Sequence, residues 1–190
     1  MRTFIAIELP KEIRDALARL QEQLKKSRAD VKWVEPKNIH LTLKFLGERD
    51  DKKVEKITDI LEETAKNNNA YTMRISSCGA FPKIDSPRVI WVGIEEGDKE
   101  TKEIVKELEE KISKVGIPKE DRAFSSHITI GRTRSTLKRD GLVQELKNLM
   151  STFGQEKIEF NVAKITLFKS TLTPQGPIYE ALQEANLKTT

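Results

Sequence analysis

The chain has 190 residues with 34 Lys and Arg against 30 Asp and Glu, a formal net charge of +4. This length can bury a core without metals or disulfides, and the single Cys78 excludes an internal disulfide. No segment approaches the roughly eighteen uninterrupted apolar residues of a membrane span, and Glu8 interrupts the stretch that a signal peptide would need. We therefore expect a cytoplasmic protein without membrane insertion, and the positive charge weakly favours an anionic partner.

Hydrophobic spacing in the first half of the chain predicts two strands and two helices. Residues 2–8 are rich in Phe and Ile, which favours a strand. After Pro10, a helix is predicted by apolar residues at helical spacing, namely Ile13, Leu17, Leu20 and Leu24. A turn at residues 35–37 leads to a second strand over about residues 38–46. The next helix is capped by Asp50 or Asp51 and presents a buried stripe of Val54, Ile57 and Leu61.

The second half begins with predicted strands at residues 71–81 and 88–94. A helix ending at Gly116 follows, and a loop at residues 117–126 leads to a strand that starts at His127. The remaining predictions are a helix at 142–150, strands at about 157–169 and 177–182, and a frayed tail at 186–190. Helices interleaved with hairpin-like strands predict an α+β fold with largely antiparallel sheets.

The two histidines of the chain stand in the same local context. They begin the segments His40-Leu41-Thr42-Leu43 and His127-Ile128-Thr129-Ile130. At average composition, such a double coincidence has a chance on the order of one in ten thousand. The spacing that aligns the motifs also aligns residues 4–8 with 91–95, Ile75 with Val162, and Phe81 with Phe168. We therefore expect a single domain over residues 1–190, made of two packed lobes related by internal duplication.

The repeated motif has a definite chemical use. Side chains alternate between the faces of a strand, so each His shares a face with its Thr while the aliphatic residues anchor the strand. An imidazole has a pKa near 6.5, so one can accept a proton while another donates one. Phosphodiester hydrolysis or transfer needs this pair, together with hydroxyl donors for the non-bridging oxygens. Zinc sites usually require three or four ligands, so two histidines without a suitably spaced carboxylate disfavour a metal.

These motifs resemble the paired H-x-T-x motifs of the 2H phosphoesterase superfamily. Within it the chain resembles the RNA 2',3'-cyclic phosphodiesterases, also called 2'-5' RNA ligases. The supporting segments are residues 34–47, Phe81-Pro82 with residues 88–91, and Gly131-Arg132. The resemblance covers essentially the whole chain.

The resemblance implies a LigT-like fold of two pseudo-symmetric lobes, each an antiparallel sheet with helices, around a central active-site groove. It also implies metal-independent catalysis without cofactors. The substrate would be RNA that ends in a 2',3'-cyclic phosphate, and tRNA fragments would be among these substrates. Hydrolysis would convert the cyclic end to a 2'-phosphate. The reverse reaction with an RNA 5'-hydroxyl would form a 2'-5' bond. His40 is assigned as general acid toward O3' and His127 as general base, with Thr42 and Thr129 as phosphate ligands. A monomer is expected.

The residues after each motif are harder to place. Arg132 resembles the family arginine that binds phosphate, but simple alternation points it away from His127 unless Gly131 marks a bulge. Lys44 has the parity to face the groove. Phe45 occupies the position equivalent to Arg132, where an aromatic ring could stack a terminal base; packing in the core is the favoured alternative.

Other candidates receive simpler predictions. Trp33 and Trp91 are expected to pack rather than to bind bases. Cys78, on an apolar strand, is expected to be inert packing. Arg88 and Tyr179 are further groove candidates.

Two functional alternatives stay open at the level of sequence. One is a non-catalytic module that binds RNA ends, since a fold and motif do not guarantee turnover. The other is the same chemistry on a small cyclic nucleotide or an ADP-ribose cyclic phosphate, because a charge of +4 is modest for a long RNA footprint.

Overall fold

The computed structural model describes residues 1–152 and 155–189, which form four α-helices, one 3₁₀ turn and nine strands. In chain order the elements are β1 (Arg2–Glu8), α1 (Lys11–Lys25), β2 (Val31–Trp33), the 3₁₀ turn (Pro36–Asn38), β3 (His40–Glu48), α2 (Asp51–Asn67), β4 (Tyr71–Lys83), β5 (Ser86–Glu96), α3 (Asp98–Lys114), β6 (His127–Thr133), α4 (Arg139–Thr152), β7 (Glu159–Val162), β8 (Lys164–Thr173) and β9 (Gly176–Asn186).

The strands form two antiparallel sheets. The first has the order β3-β1-β8-β9 and the second has the order β2-β6-β5-β4-β7. Each sheet contains one H-x-T-x strand, β3 at an edge of the first and β6 next to the edge strand of the second. The predicted α+β class with antiparallel sheets is confirmed.

One hydrophobic core connects the two sheets and the helices. Helices α2 and α3 pack on β3, β8 and β9, whereas α4 packs on β4 and β5 and also contacts α1. The aliphatic residues of both motifs enter this core at 0–3% exposure: Leu41, Leu43, Ile128 and Ile130. Both histidine strands are therefore fixed by their apolar faces, as the alternation predicts.

Local signals set the helix boundaries. The carboxylate of Asp50 accepts a hydrogen bond from the backbone N–H of Lys53 at 2.8 Å and so caps α2 at the predicted position. Helix α3 ends ahead of Gly116, whose φ of +86° favours glycine. Within the residues described, no helix combines the length and the apolar character that a membrane crossing requires.

The predicted single strand at 157–169 is wrong. It divides at Ala163 into β7, which pairs with β4, and β8, which pairs with β1 in the other sheet. The break is held by the backbone N–H of Leu187, which donates to the carbonyl oxygen of Ala163 at 2.9 Å. The chain therefore passes from one sheet to the other within a single residue.

The predicted frayed tail is also wrong over the residues that the structure describes. Leu187 is 4% exposed, and Lys188 exchanges backbone hydrogen bonds with Asn68 and Ala70 at 2.9 and 2.7 Å. Burying an apolar side chain and pairing the backbone outweigh the entropy of a free end. Thr190 lies outside the described residues.

Candidate functional site

The two H-x-T-x strands lie next to each other where the sheets meet. β3 and β6 are in contact, and their histidine faces are turned away from the shared core. His40, Thr42, His127 and Thr129 are all partly exposed, in contrast to the aliphatic residues between them. The predicted pairs of His and Thr are thus presented on accessible surface.

The ring of His40 is enclosed and hydrogen-bonded at both nitrogens. Nδ1 lies 2.7 Å from the carbonyl oxygen of Asn38, which can only accept, so Nδ1 carries a proton. In the neutral ring, Nε2 accepts from the hydroxyl of Thr42 at 2.8 Å. The rings of Phe4 and Tyr179 lie 5.0 and 5.3 Å away, centroid to centroid. Burial lowers the pKa of His40, and the Asn38 carbonyl partly offsets this.

His127 has the same tautomer in a more open setting. Its Nδ1 donates to the carbonyl oxygen of Ser125 at 2.8 Å, which leaves Nε2 as the accepting nitrogen of the neutral ring. The ring of Phe81 lies edge-on at 5.2 Å. Unlike Thr42, Thr129 makes no hydrogen bond to its histidine or to any other described residue through its hydroxyl. Both rings are therefore oriented by a carbonyl two residues earlier, and in both Nε2 is the accepting nitrogen of the neutral ring.

A β-bulge follows the threonine of each motif at the equivalent position. Against β1, Thr42 faces Ala6 and Lys44 faces Ile5, so Leu43 is the extra residue. Against β5, Thr129 faces Trp91 and Gly131 faces Ile90, so Ile130 is the extra residue. An extra residue reverses the alternation beyond it, which brings Phe45 and Arg132 to the histidine faces.

The positive charge of Arg132 acts on the histidine face of the other sheet. Burial raises the pKa of the Tyr179 hydroxyl, and the positive charges of Arg132 and Arg2 oppose that rise. Because Tyr179 contacts the ring of His40, a cation from β6 acts at the edge of the His40 face. The bulge that Gly131 suggested is present one residue earlier, and the outward orientation given by simple alternation is wrong.

Two other predictions on β3 fail for the same reason. Lys44 does not face the groove: it is 2% exposed, and its Nζ donates to Glu109 at 2.7 Å and to the carbonyl oxygen of Pro118 at 3.2 Å. Phe45 is not a core residue: it is 62% exposed, and its ring lies 6.4 Å from that of Phe4. The bulge at Leu43 moves each side chain to the opposite face.

Aromatic side chains support both histidines. Phe4 stacks on Phe168 at 5.3 Å in the first sheet, and Phe81 packs on Trp91 at 5.1 Å in the second. The sequence patterns predicted no site role for Phe4, Phe81 or Phe168. The signal that could have found them was the repeat itself, which aligns Phe81 with Phe168.

The remaining candidates divide between packing and surface. Trp33 packs against the core, and Trp91 lies so close to Gly79 that a Cβ there would come within 2.5 Å of its ring. Burial raises the pKa of the Cys78 thiol to about 11, which keeps it protonated and inert at neutral pH. Arg88 is exposed, and it is the extra residue of a β-bulge, because Phe81 faces Val89 while Pro82 faces Pro87.

A metal site is not evident in the described part of the chain. Across residues 1–152 and 155–189, no three His, Cys, Asp or Glu side chains are grouped so that they could hold an ion. The two histidine faces carry two imidazoles, two hydroxyls, one guanidinium and one phenol. This set suits binding and proton transfer at an anionic ester.

Comparison with known proteins identifies the family. The model of the LigT-like phosphoesterases matches twice, at residues 7–91 and 92–179. The chain is 37% identical over 185 residues to an RNA 2',3'-cyclic phosphodiesterase of Methanocaldococcus jannaschii, covering 97% of this chain and 99% of that one. A protein of the same name from Methanothermobacter thermautotrophicus is 32% identical over 183 residues, covering 96% and 97%.

A solved structure agrees with these sequence matches. The crystal structure of TT0787 from Thermus thermophilus superposes with a TM-score of 0.80 at 27% identity, covering 98% of both chains. The agreement includes the whole two-sheet architecture described above. The chain therefore belongs to the LigT-like phosphoesterase family.

Proposed function

We propose that the chain is an RNA 2',3'-cyclic phosphodiesterase that hydrolyses 2',3'-cyclic phosphate ends to 2'-phosphates. The observation that carries the proposal is the pair of H-x-T-x faces, each with an imidazole held in the same tautomer by a backbone carbonyl. The relatives of that name, at 32% and 37% identity over almost the full chain, support the choice of RNA as substrate. tRNA fragments with such ends belong to the proposed substrate class.

The proposed reaction is an in-line displacement at phosphorus. Nε2 of His127 accepts a proton from water, whose oxygen attacks the cyclic phosphate. The bond from phosphorus to O3' breaks, and Nε2 of protonated His40 gives its proton to O3', so the phosphate remains on O2'. Burial favours the neutral form of His40 in the free protein, and the negative charge of a bound cyclic phosphate restores its proton.

Neighbouring side chains complete the proposed site. The hydroxyls of Thr42 and Thr129 donate to the non-bridging oxygens, and the guanidinium of Arg132 binds the same phosphate. The exposed ring of Phe45, on the histidine face, stacks the terminal base. No step requires a metal ion or a cofactor, and an RNA 5'-hydroxyl in place of water would form a 2'-5' bond.

We also propose that the two lobes arose by duplication and that one copy of the chain is active. The double match of the family model and the equivalent bulges after each motif support duplication. Both histidines come from the same chain, which supports a functional monomer.

The test is to incubate the purified protein, with EDTA present, with an oligoribonucleotide that ends in a 2',3'-cyclic phosphate. The expected product is a terminal 2'-phosphate, formed in the wild type and lost in His40→Ala and His127→Ala while RNA binding is largely kept. Near-normal rates in both variants, or a 3'-phosphate product, would contradict the mechanism. Binding of the RNA end without any product would instead favour an RNA-end binding module.

A further inference from the structure

A cleft of about 400 Å³ opens beside His40, on the opposite side of this residue from Phe45 along β3. Its walls are the end of β1, the start of α1, the 3₁₀ turn and the junction between β7 and β8. His40, Phe168 and Tyr179, which belong to the histidine face, also line it, so the cleft is continuous with the candidate site. We call it the basic cleft, after its charged lining residues Glu8, Lys11, Arg14, Lys37 and Lys164.

The lining carries four cations and one carboxylate. Each lysine already has an acidic partner: Lys11 pairs with Asp15 at 2.6 Å, Lys37 with Glu35 at 3.1 Å, and Lys164 with Glu8 at 3.2 Å. Lys164 also pairs with Glu184 at 2.6 Å, so Arg14 is the one cation of the lining without an ion pair among the described residues.

Arg14 lacks an ionic partner among the described residues. Its Nη1 donates to the carbonyl oxygen of Lys37 over a long 3.4 Å, and its Nε is buried without an acceptor. A guanidinium has five N–H donors, and a buried donor without an acceptor costs free energy that an anionic ligand would recover. Arg14 is thus a cation with donors to spare, next to the candidate site.

The start of α1 adds further free donors to the same wall. Pro10 precedes the helix and forms no side-chain cap, and its carbonyl oxygen accepts only from the third and fourth residues of α1, so the first two backbone N–H groups have no acceptor within the helix. Pro10 and Lys11 line the cleft, which places the positive end of this 15-residue helix on it. Arg14 and the helix terminus therefore both favour an oxygen-rich anion.

We propose that the basic cleft binds the phosphodiester group on the 5' side of the terminal nucleotide, an inference that rests on the proposed function. The geometry of ribose supports this location. O3' is carried by the carbon next to C4', from which the chain continues through C5' to the preceding phosphate. If His40 protonates O3', the 5' side of the sugar lies toward His40 and hence toward the cleft. The enzyme then recognises an RNA chain and not only its cyclic end.

The experiment compares two substrates in one enzyme. One is adenosine 2',3'-cyclic phosphate, which lacks the 5' phosphodiester, and the other is the adenylyl-adenosine dinucleotide with the same cyclic end. Wild type should have the higher kcat/KM on the dinucleotide. Arg14→Gln should lower kcat/KM for the dinucleotide about tenfold, mainly through KM, and leave adenosine cyclic phosphate unchanged. Arg14→Glu should lower it further.

Arg19→Gln is the matched control, because Arg19 lies on the same helix, is exposed, and does not line the basic cleft. It should change neither substrate. The inference is overturned if Arg14→Gln affects both substrates equally or neither of them. Activity of the variants on adenosine cyclic phosphate shows that they are folded and catalytically competent, whereas no turnover of either substrate by wild type would overturn the proposed function itself.

Discussion

The two histidine half-sites have the same motif but different surroundings. His40 lies between two aromatic rings, its Nε2 is bound by Thr42, and burial lowers its pKa. His127 contacts one aromatic ring, and its Nδ1 hydrogen bond is exposed. The difference teaches that the backbone carbonyl two residues before each histidine sets the tautomer of the imidazole, while the neighbouring strands set its environment. Such a difference is what an acid and a base require of two equal side chains.

The largest effect should come from separating the roles of the two histidines. On ordinary substrate, His40→Ala and His127→Ala should each lose about 10²–10⁴-fold in rate. A substrate with sulfur in place of O3' has a leaving group of much lower pKa, which departs without a proton. It should rescue His40→Ala and leave His127→Ala inactive. Rescue of His127→Ala instead would reverse the assignment of acid and base.

A stability measurement compares the residues that follow the two bulges. Lys44 is buried against Glu109, whereas the equivalent Gly131 leaves room for Trp33, which a Cβ would approach within 2.9 Å. Glu109→Gln would leave the Lys44 ammonium buried and unpaired, so we expect the free energy of unfolding in urea to fall by about 3–5 kcal/mol.

The control is Glu63→Gln, which removes an exposed carboxylate from its pair with Lys111 at 2.9 Å. It should cost less than about 1 kcal/mol. Equal losses in the two variants would show that the pair of Lys44 and Glu109 is no stronger than a surface ion pair.

The equivalent positions of Phe45 and Arg132 should have unequal effects on specificity. Phe45→Ala should weaken kcat/KM by about tenfold, and by more for a terminal purine than for a pyrimidine, because stacking contributes about 1–3 kcal/mol per base. Arg132→Gln should weaken all terminal bases by the same factor, because phosphate contacts carry no base information. A base-independent loss in Phe45→Ala would remove the stacking role.

The smallest expected effect is a shift in the pH profile. Burial holds the pKa of His40 below its ordinary value of 6.5, so in the free enzyme this imidazole loses its proton at a lower pH. With His40 as the acid, kcat/KM should fall as the pH rises through that lowered value. His127→Ala should keep this alkaline limb in its residual activity. If the residual kcat/KM of His127→Ala instead rises through the same pH range, His40 is the base.

The sequence was sufficient to predict the parts of the site that depend on strand alternation. His40 and Thr42 share one face while Leu41 is buried, because a regular strand alternates with a period of two. Prediction failed from the bulge onward, where Lys44 and Phe45 exchange faces. A bulge depends on register with a neighbouring strand, and on β3 no glycine marks it. On β6, by contrast, Gly131 next to Arg132 was a local signal of a bulge.

The division of residues 157–169 between two sheets was not predictable for a similar reason. β7 and β8 are both apolar enough to be strands, and they separate at Ala163, whose carbonyl oxygen accepts a hydrogen bond from the backbone N–H of Leu187. Local pattern identifies strands, but long-range pairing decides which sheet each one joins.

The exchange of strands between the sheets constrains how this protein can be divided. β4 lies in the first half of the chain but belongs to the sheet of β5 and β6. β8 and β9 lie near the end of the chain but belong to the sheet of β1 and β3. A cut between α2 and β4 would leave the N-terminal fragment with a two-stranded ribbon and one histidine. Neither fragment would contain all the strands of either sheet. Activity could therefore return only by fragment complementation, with both pieces present together.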